Sequence, residues 1–304
     1  MKVLFVGLGS IGKKHLNALL KLNASIQIFA LRSGIKNEEI VGVYDIYKFS
    51  QVPKDLTFSI IANPTFEHFN SLKMLIPLGK PIFIEKPPLD SLLGSKELIE
   101  MIERYSTRTY VGFNLRFLTS LMWLKQNLNT KEVIEVSVYC GSFLPNWRKG
   151  DYRTSYSADR NKGGGVQLDL IHELDYVIWI FGYPKAVQKF DSKFSTLDIT
   201  SSDYSFFHLI YADKCISIKL NYYRQTPKRD IEIISSKEII YVDLLKNNVR
   251  INNKIVHQGD GNILNTYDDQ LSYFIENLNS GKEFPNNFEN SLKTLKIVLT
   301  KNEL

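Results

Sequence analysis

The sequence predicts an α/β domain built on a parallel sheet, followed by an α+β domain with a large, mostly antiparallel open sheet. Three observations predict it. Short apolar runs alternate with helix-like segments up to Gly112. From Ala186 to Val256 strands follow one another with few helices between them. A Gly-x-Gly-x-x-Gly motif, Gly7 to Gly12, lies between the first strand and the first helix. Alternation of strand and helix implies a parallel sheet covered by helices on both faces, and consecutive strands imply antiparallel pairing.

The elements follow in order. Lys2–Val6 is an apolar run of the kind buried in parallel sheets, and Ile11–Lys21 has helical periodicity. Ser25–Leu31 and Leu56–Ala62 read as strands, and Phe66–Leu78 as a helix between proline stops. Pro81–Ile84 is a strand, Ser91–Tyr105 an amphipathic helix opened by a serine cap, and Arg108–Gly112 a further strand. A helix over Leu118–Leu128 leads to a long strand, Val133–Phe143, and an irregular polar stretch, Leu144–Lys162. A single helix is predicted for Gly164–Phe181. Strands dominate from Ala186 to Val256, among them Tyr204–Tyr211, Cys215–Tyr222 and Asp230–Ile234. Helices at Tyr267–Asn279 and Glu289–Lys301 close the chain. The expected domains are residues 1–116 and 117–304.

Composition narrows the function classes. A chain of 304 residues exceeds one ordinary core, hence two domains. No apolar run approaches the roughly 20 residues that span a bilayer. The N-terminal apolar run stops at Gly7, so it reads as a buried strand and not a leader, with a cytoplasmic protein expected. Cys140 and Cys215 each lie in a strand-like run, without zinc or disulfide spacing, and are expected as two buried thiols. The net charge of +6 comes from scattered lysines, which argues against nucleic acid and is compatible with an anionic ligand.

The glycine motif has the context its mechanism requires, a strand before it and a helix after it, as in a Rossmann domain. Gly7 permits the turn, Gly9 admits a pyrophosphate, and Gly12 lets helix and strand pack. Ser10 and Ile11 start the helix whose free N–H groups and positive dipole end suit phosphate. The second strand ends on Arg32-Ser33, where an NAD site usually carries an acid. A guanidinium beside a hydroxyl suits the 2′-phosphate of NADP, with NAD the other possibility.

Two more strand ends carry polar residues: Asn63-Pro64-Thr65 with His68, and Glu85-Lys86-Pro87. Strand ends of this kind face the ligand crevice of an open α/β sheet. Further along come Gly112-Phe113-Asn114 with Arg116, then Gly163-Gly164-Gly165 followed by Asp169, His172 and Asp175. In this order over residues 1–182 the set resembles the glucose–fructose oxidoreductase, inositol dehydrogenase and MocA family, and the rest agrees in layout only.

The resemblance implies an NAD(P)-dependent oxidoreductase acting on a CH–OH group of a sugar-like substrate. It implies Lys86, Asp169 and His172 as catalytic residues and substrate contacts, with Asn114 and Arg116 beside them. It also implies Asn63, Pro64, Thr65, His68, Glu85 and Lys86 at the cofactor. His172 is read as the acid/base, because an imidazole titrates near neutrality, with Asp169 orienting its ring. Lys86 would hydrogen-bond the reacting oxygen, or be the proton donor itself. The spacing departs from the family's: His172 is three residues after Asp169, not four. Either spacing shares a helical face, and Asp175 is the other candidate partner. That face would group Asp169, His172, Glu173 and Tyr176 as a polar stripe. The helix lacks His-Glu-x-x-His, so no metal is expected.

Trp147, Arg148, Arg153 and Tyr156 precede the glycine triplet and mix aromatic faces with cations, which suits an acidic or nucleotide-activated sugar. Two other functions stay open: a reductase of a non-sugar carbonyl or imine compound, and a non-catalytic NADP-responsive regulator. The broad second sheet resembles one that pairs subunits in the family, so a homodimer or homotetramer is expected.

Overall fold

The apolar runs of the first third fold into one six-stranded sheet, all parallel, in the order β3-β2-β1-β4-β5-β6. The structure is a computed structural model and describes residues 1–22, 25–34 and 39–301. The strands are β1 (Lys2–Val6), β2 (Gln27–Leu31), β3 (Val43–Ile46), β4 (Phe58–Ile61), β5 (Ile82–Glu85) and β6 (Thr109–Gly112). Helix α1 (Ser10–Leu22) joins β1 to β2, α2 (His68–Leu75) joins β4 to β5, and α3 (Ser95–Arg104) joins β5 to β6. This is the Rossmann order, which reverses between β1 and β4. Every residue of β4, β5 and β6 is buried, which is why these segments read as unbroken apolar runs.

Two predictions in this region are corrected. Strand β3 has no periodic signal in the sequence, because Val-Tyr-Asp-Ile is short and only its last residue is buried. The helix expected from Ser91 starts at Ser95, with Gly94 left-handed at φ 74° before it. Gly94 faces the Phe69 ring, so the turn is fixed by packing and not by a serine cap.

The second sheet has eight strands, mostly antiparallel, in the order β14-β13-β12-β11-β7-β10-β9-β8. They are β7 (Val133–Phe143), β8 (Ala186–Ser192), β9 (Tyr204–Ile210), β10 (Cys215–Asn221), β11 (Tyr223–Ser235), β12 (Ile239–Asp243), β13 (Asn248–Ile251) and β14 (Lys254–Gln258). Only β7 and β10 pair in parallel. Alternate residues such as Val136 and Val138, Ile216 and Ile218, and Ile231 and Ile233 are buried, so one face of the sheet carries the core. The remaining helices are α4 (Thr119–Asn127), α5 (Val166–Asp169), α6 (His172–Phe181), α7 (Asn265–Glu276) and α8 (Phe288–Val298). Cys140 is buried, as expected, and Cys215 is only half-buried. No helix among the described residues is long and apolar enough to cross a membrane.

The single helix expected over 164–181 is two helices. Leu170 leaves helical geometry at φ −101°, ψ 32°, so α5 ends and α6 begins at His172. Asp169 and His172 therefore lie on different helices, and not on the one predicted helix. Glu173 is fully buried against Arg229 of β11, 2.6 Å away, and Tyr176 is fully buried as well.

The chain forms two compact units, Met1–Asn114 with Leu264–Lys293, and Leu115–Ile263 with the described residues from Thr294 on. The expected boundary assigns all of 117–304 to the second, whereas Leu264–Lys293 belong to the first. Helix α7 instead packs on α1, where Lys21 pairs with Asp268 at 2.8 Å and Lys14 lies over the Tyr267 ring.

Candidate functional site

In the first unit, three segments leave the same edge of the parallel sheet. Val6 pairs with Ile61, and Ile61 with Ile84, so Gly7, Asn63 and Lys86 all follow the carboxyl ends of neighbouring strands. That edge, where the strand order reverses, is where open α/β sheets bind ligands.

The loop after β1 has the shape its glycines permit. Gly7 has φ 94°, and a Cβ there would come within 2.4 Å of the Asn63 backbone nitrogen. A Cβ on Gly12 would strike the Gly7 carbonyl oxygen at 2.4 Å, whereas one on Gly9 would meet nothing within 4 Å. Two glycines thus hold the turn, and the third leaves its outer side open to a ligand. Ser10 and Ile11 open α1, whose first turn has no acid to oppose a phosphate. These residues fit a dinucleotide.

Behind the loop, Asn63 Nδ2 donates to Ser71 Oγ at 2.9 Å, which fixes the turn between β4 and α2. Pro64 precedes a short turn of 3₁₀ helix in which Thr65 is buried. His68 is 1% exposed, and its ring lies between the carbonyls of Asn63 at 3.0 Å and Pro87 at 3.1 Å. It braces the two turns from behind. Burial holds its pKa below the ordinary value, against the pull of these carbonyls and of Glu85.

Glu85, also buried, bonds through Oε1 to His15 Nε2, and its Oε2 accepts the Lys86 N–H at 3.1 Å. His15 is fully buried on α1, with its ring edge-on to Phe83 and Tyr267. The peptide that carries Lys86 is therefore tied to the helix of the glycine loop; the Lys86–Pro87 bond is cis. Sequence reasoning missed His15. A histidine three residues beyond the last glycine, beside the buried Leu16 and Leu19, was its only trace. Arg32 Nε donates to Asp45 Oδ1 at 2.8 Å, with Ser33 next in the chain. Asn114 donates to Thr266 Oγ1 at 2.7 Å and is buried.

In the second unit the glycine triplet seats the preceding segment on the start of α5. A Cβ on Gly164 would lie 2.3 Å from the Tyr156 carbonyl oxygen and 2.6 Å from that of Asp159. This close approach brings Tyr156 to Asp169. Two phenols bond the buried Asp169 carboxylate: Tyr222 donates at 2.5 Å, and Tyr156 donates beside it. The Asp169 charge, followed by burial, pushes the Tyr156 pKa up; burial and then Asp169 do the same for Tyr222. Both phenols thus remain protonated donors. Arg148 Nη2 donates to the Tyr156 hydroxyl at 3.0 Å, and its guanidinium lies over that ring. Trp147 packs edge-on against Tyr222 and donates to Ser142 Oγ at 2.8 Å. Tyr222, on the far side of the sequence, left no local signal.

The other predicted residues of this unit have partners of their own or lie at a helix start. Arg153 pairs with Asp151 at 2.7 Å on the surface, with Asp198 at 3.7 Å. Arg116 grips Asp175, the alternative partner of His172, through two bonds at 2.8 and 2.6 Å. Burial pushes the Asp175 carboxyl up, and the Arg116 charge pulls it down. His172 itself is half-buried at the first position of α6.

Known proteins match this chain along most of its length. Residues 1–113 match the model of the oxidoreductase family with the NAD-binding Rossmann fold, and residues 127–291 that of the same family's C-terminal α/β domain. The glucose-6-phosphate 3-dehydrogenase of Bacillus subtilis (strain 168) is 28% identical over 222 residues, 66% of this chain and 60% of that protein. The chain spans between a third and three fifths of the length of the first curated relatives it matches. Among solved structures, a levoglucosan dehydrogenase in complex with NADH has a TM-score of 0.83 at 15% identity, covering 98% of this chain and 95% of that one. A UDP-N-acetylglucosamine 3-dehydrogenase from Acidithiobacillus ferrooxidans gives 0.80 at 16%, with the same coverage of both chains. Likeness at such identities shows a shared fold.

Proposed function

The chain belongs to the Gfo/Idh/MocA oxidoreductase family, and from that premise we propose that it is an NAD(P)-dependent dehydrogenase or reductase that interconverts a CH–OH group and a carbonyl on a sugar-like substrate. The observation that carries the reading is the common sheet edge from which Gly7, Asn63 and Lys86 emerge. The glycine loop with Ser10 and Ile11 holds the pyrophosphate. Asn63, Pro64 and Thr65 line the same edge, with His68 and Glu85 behind them. Arg32 and Ser33 favour NADP, with NAD also accepted. When bound, the nicotinamide supplies the hydride acceptor or donor.

The protein's own groups handle the charge and the proton. The Lys86 ammonium hydrogen-bonds the reacting oxygen and stabilises negative charge developing there. His172 takes the hydroxyl proton in oxidation and returns it in reduction. Asp169, its carboxylate held by Tyr156 and Tyr222, fixes the orientation of the proton-transfer group. Asn114 and Arg116 act through their neighbours, Thr266 and Asp175, to set the surroundings of the substrate. Trp147 and Arg148 offer an aromatic face and a cation to an acidic or nucleotide-activated sugar; Arg153, committed to Asp151, contributes less. The working protein is a cytoplasmic homodimer or homotetramer.

The test is the absorbance of reduced nicotinamide with NADP and NAD in parallel, over free, acidic and nucleotide sugars. Lys86→Ala and His172→Ala are expected to lower turnover by at least about 100-fold while cofactor binding persists. Silence across the panel, with both cofactors binding tightly, would overturn the sugar dehydrogenase reading in favour of a regulator or a reductase of another carbonyl or imine.

A further inference from the structure

The cation expected to select NADP is not a bare one. Arg32 leaves β2 with its backbone N–H on the Ile46 carbonyl at 2.9 Å, and its Nε donates to Asp45 Oδ1 at 2.8 Å. Asp45 pairs with Ala30 across β2 and β3, which places it diagonal to Arg32. The Arg32 side chain is only 8% exposed and that of Asp45 24%, so solvent screens this pair less than a surface pair. Sheet register, and not chance encounter of two long side chains, fixes the carboxylate against the guanidinium.

We propose that Asp45 is a specificity-determining residue that holds down the preference of this site for NADP. The inference rests on the reading that Arg32 meets the adenosine ribose. A 2′-phosphate drawn to Arg32 is repelled by the carboxylate beside it, and the repulsion falls on NADP alone, since NAD carries hydroxyls at that position. The pair therefore balances attraction against repulsion for the phosphate and leaves NAD nearly indifferent. A protein so built uses both cofactors, without the strong preference for NADP of a bare arginine or the rejection of NADP by a bare aspartate at this strand end.

Direct binding tests this without any substrate. NADPH and NADH are titrated against the whole protein, following nicotinamide fluorescence, and the melting temperature is recorded for each variant with and without cofactor. Asp45→Asn keeps a hydrogen-bond acceptor for Arg32 and removes the charge. It is expected to tighten NADPH by at least about tenfold while NADH stays within about threefold, a lower bound for two charges a few ångströms apart near a protein surface. Asp45→Ser gives the same direction should the asparagine variant not fold. Arg32→Ala added to Asp45→Asn cancels the gain. An unchanged NADPH-to-NADH ratio, or a weaker NADPH, overturns the proposal, because Asp45 would then be a spectator or an aid to Arg32. Binding of neither cofactor by the unaltered protein would instead overturn the dinucleotide reading itself.

Discussion

His68 shows how one buried side chain can make a pH dependence. A carbonyl oxygen lies at each ring nitrogen, and a neutral ring can donate to only one side. Burial nevertheless wins and lowers its pKa from the ordinary 6.5. The unfolded chain then takes the proton first, so stability present above that value is lost as the pH falls below it. The slope is at most about 1.4 kcal/mol per pH unit until the folded ring protonates too. Urea unfolding of the native protein and His68→Gln at pH 8 and pH 5 checks this. The variant is expected to be less stable at pH 8 by about 1–2 kcal/mol and to lose less than the native protein on acidification. Parallel losses would place the acid sensitivity elsewhere.

At the scale of elements, the bond between α1 and β5 does what neither does alone. His15 on the helix holds Glu85 at the strand end, and Glu85 holds the peptide N–H of Lys86. Glu85→Gln keeps the shape and loosens this hold. The expected result is a kcat lower by about 10- to 100-fold with NADH affinity within about threefold, a loss that belongs to positioning and not to binding. His15→Asn moves in the same direction, and the two together cost less than their product. A loss confined to cofactor affinity would show that the pair serves the glycine loop only. Much of this layer was legible beforehand. β1, β4, β5 and α1 declared themselves because their burial pattern repeats along the local chain, and the polar strand ends stood out against it. What lay hidden depends on contacts distant in sequence. Leu170 breaks the helix between Asp169 and His172, although nothing in its own neighbourhood is a helix breaker. β11 starts at Tyr223, well before the Asp230–Ile234 core, and it tolerates Pro227 because a register shift between Tyr223 and Lys228 takes that stretch out of the ladder on β7. Tyr222 and Asp169 meet across 53 residues of chain, and Asp45 lies on the strand that periodicity did not reveal.

On the scale of the whole molecule, the chain leaves its first unit after Asn114 and comes back to it at Leu264. The return completes a core. Phe274 of α7 sits 5.2 Å from the Phe58 ring and 5.5 Å from Phe83, both fully buried, and Phe284 lies 5.2 Å from Tyr110. Arg108, just before β6, donates to the carbonyls of Asn277 and Leu278 and caps the arrangement with its guanidinium over Phe284. Residues 1–116 hold every strand of the parallel sheet and the glycine loop, yet they lack Leu271, Phe274 and Phe284, which fill one flank of its core. A polypeptide of residues 1–116 is therefore expected to show no cooperative urea transition and no NADH binding. Residues 1–114 joined through a short flexible linker to 264–293 should recover both. In the full chain Phe274→Ala is expected to cost about 3–5 kcal/mol, the usual loss when a large aromatic leaves a packed interior. Cooperative unfolding of 1–116 alone, with Phe274→Ala nearly neutral, would mean that the sheet and its own helices suffice, and that the return of the chain is a covering and not a part of the core.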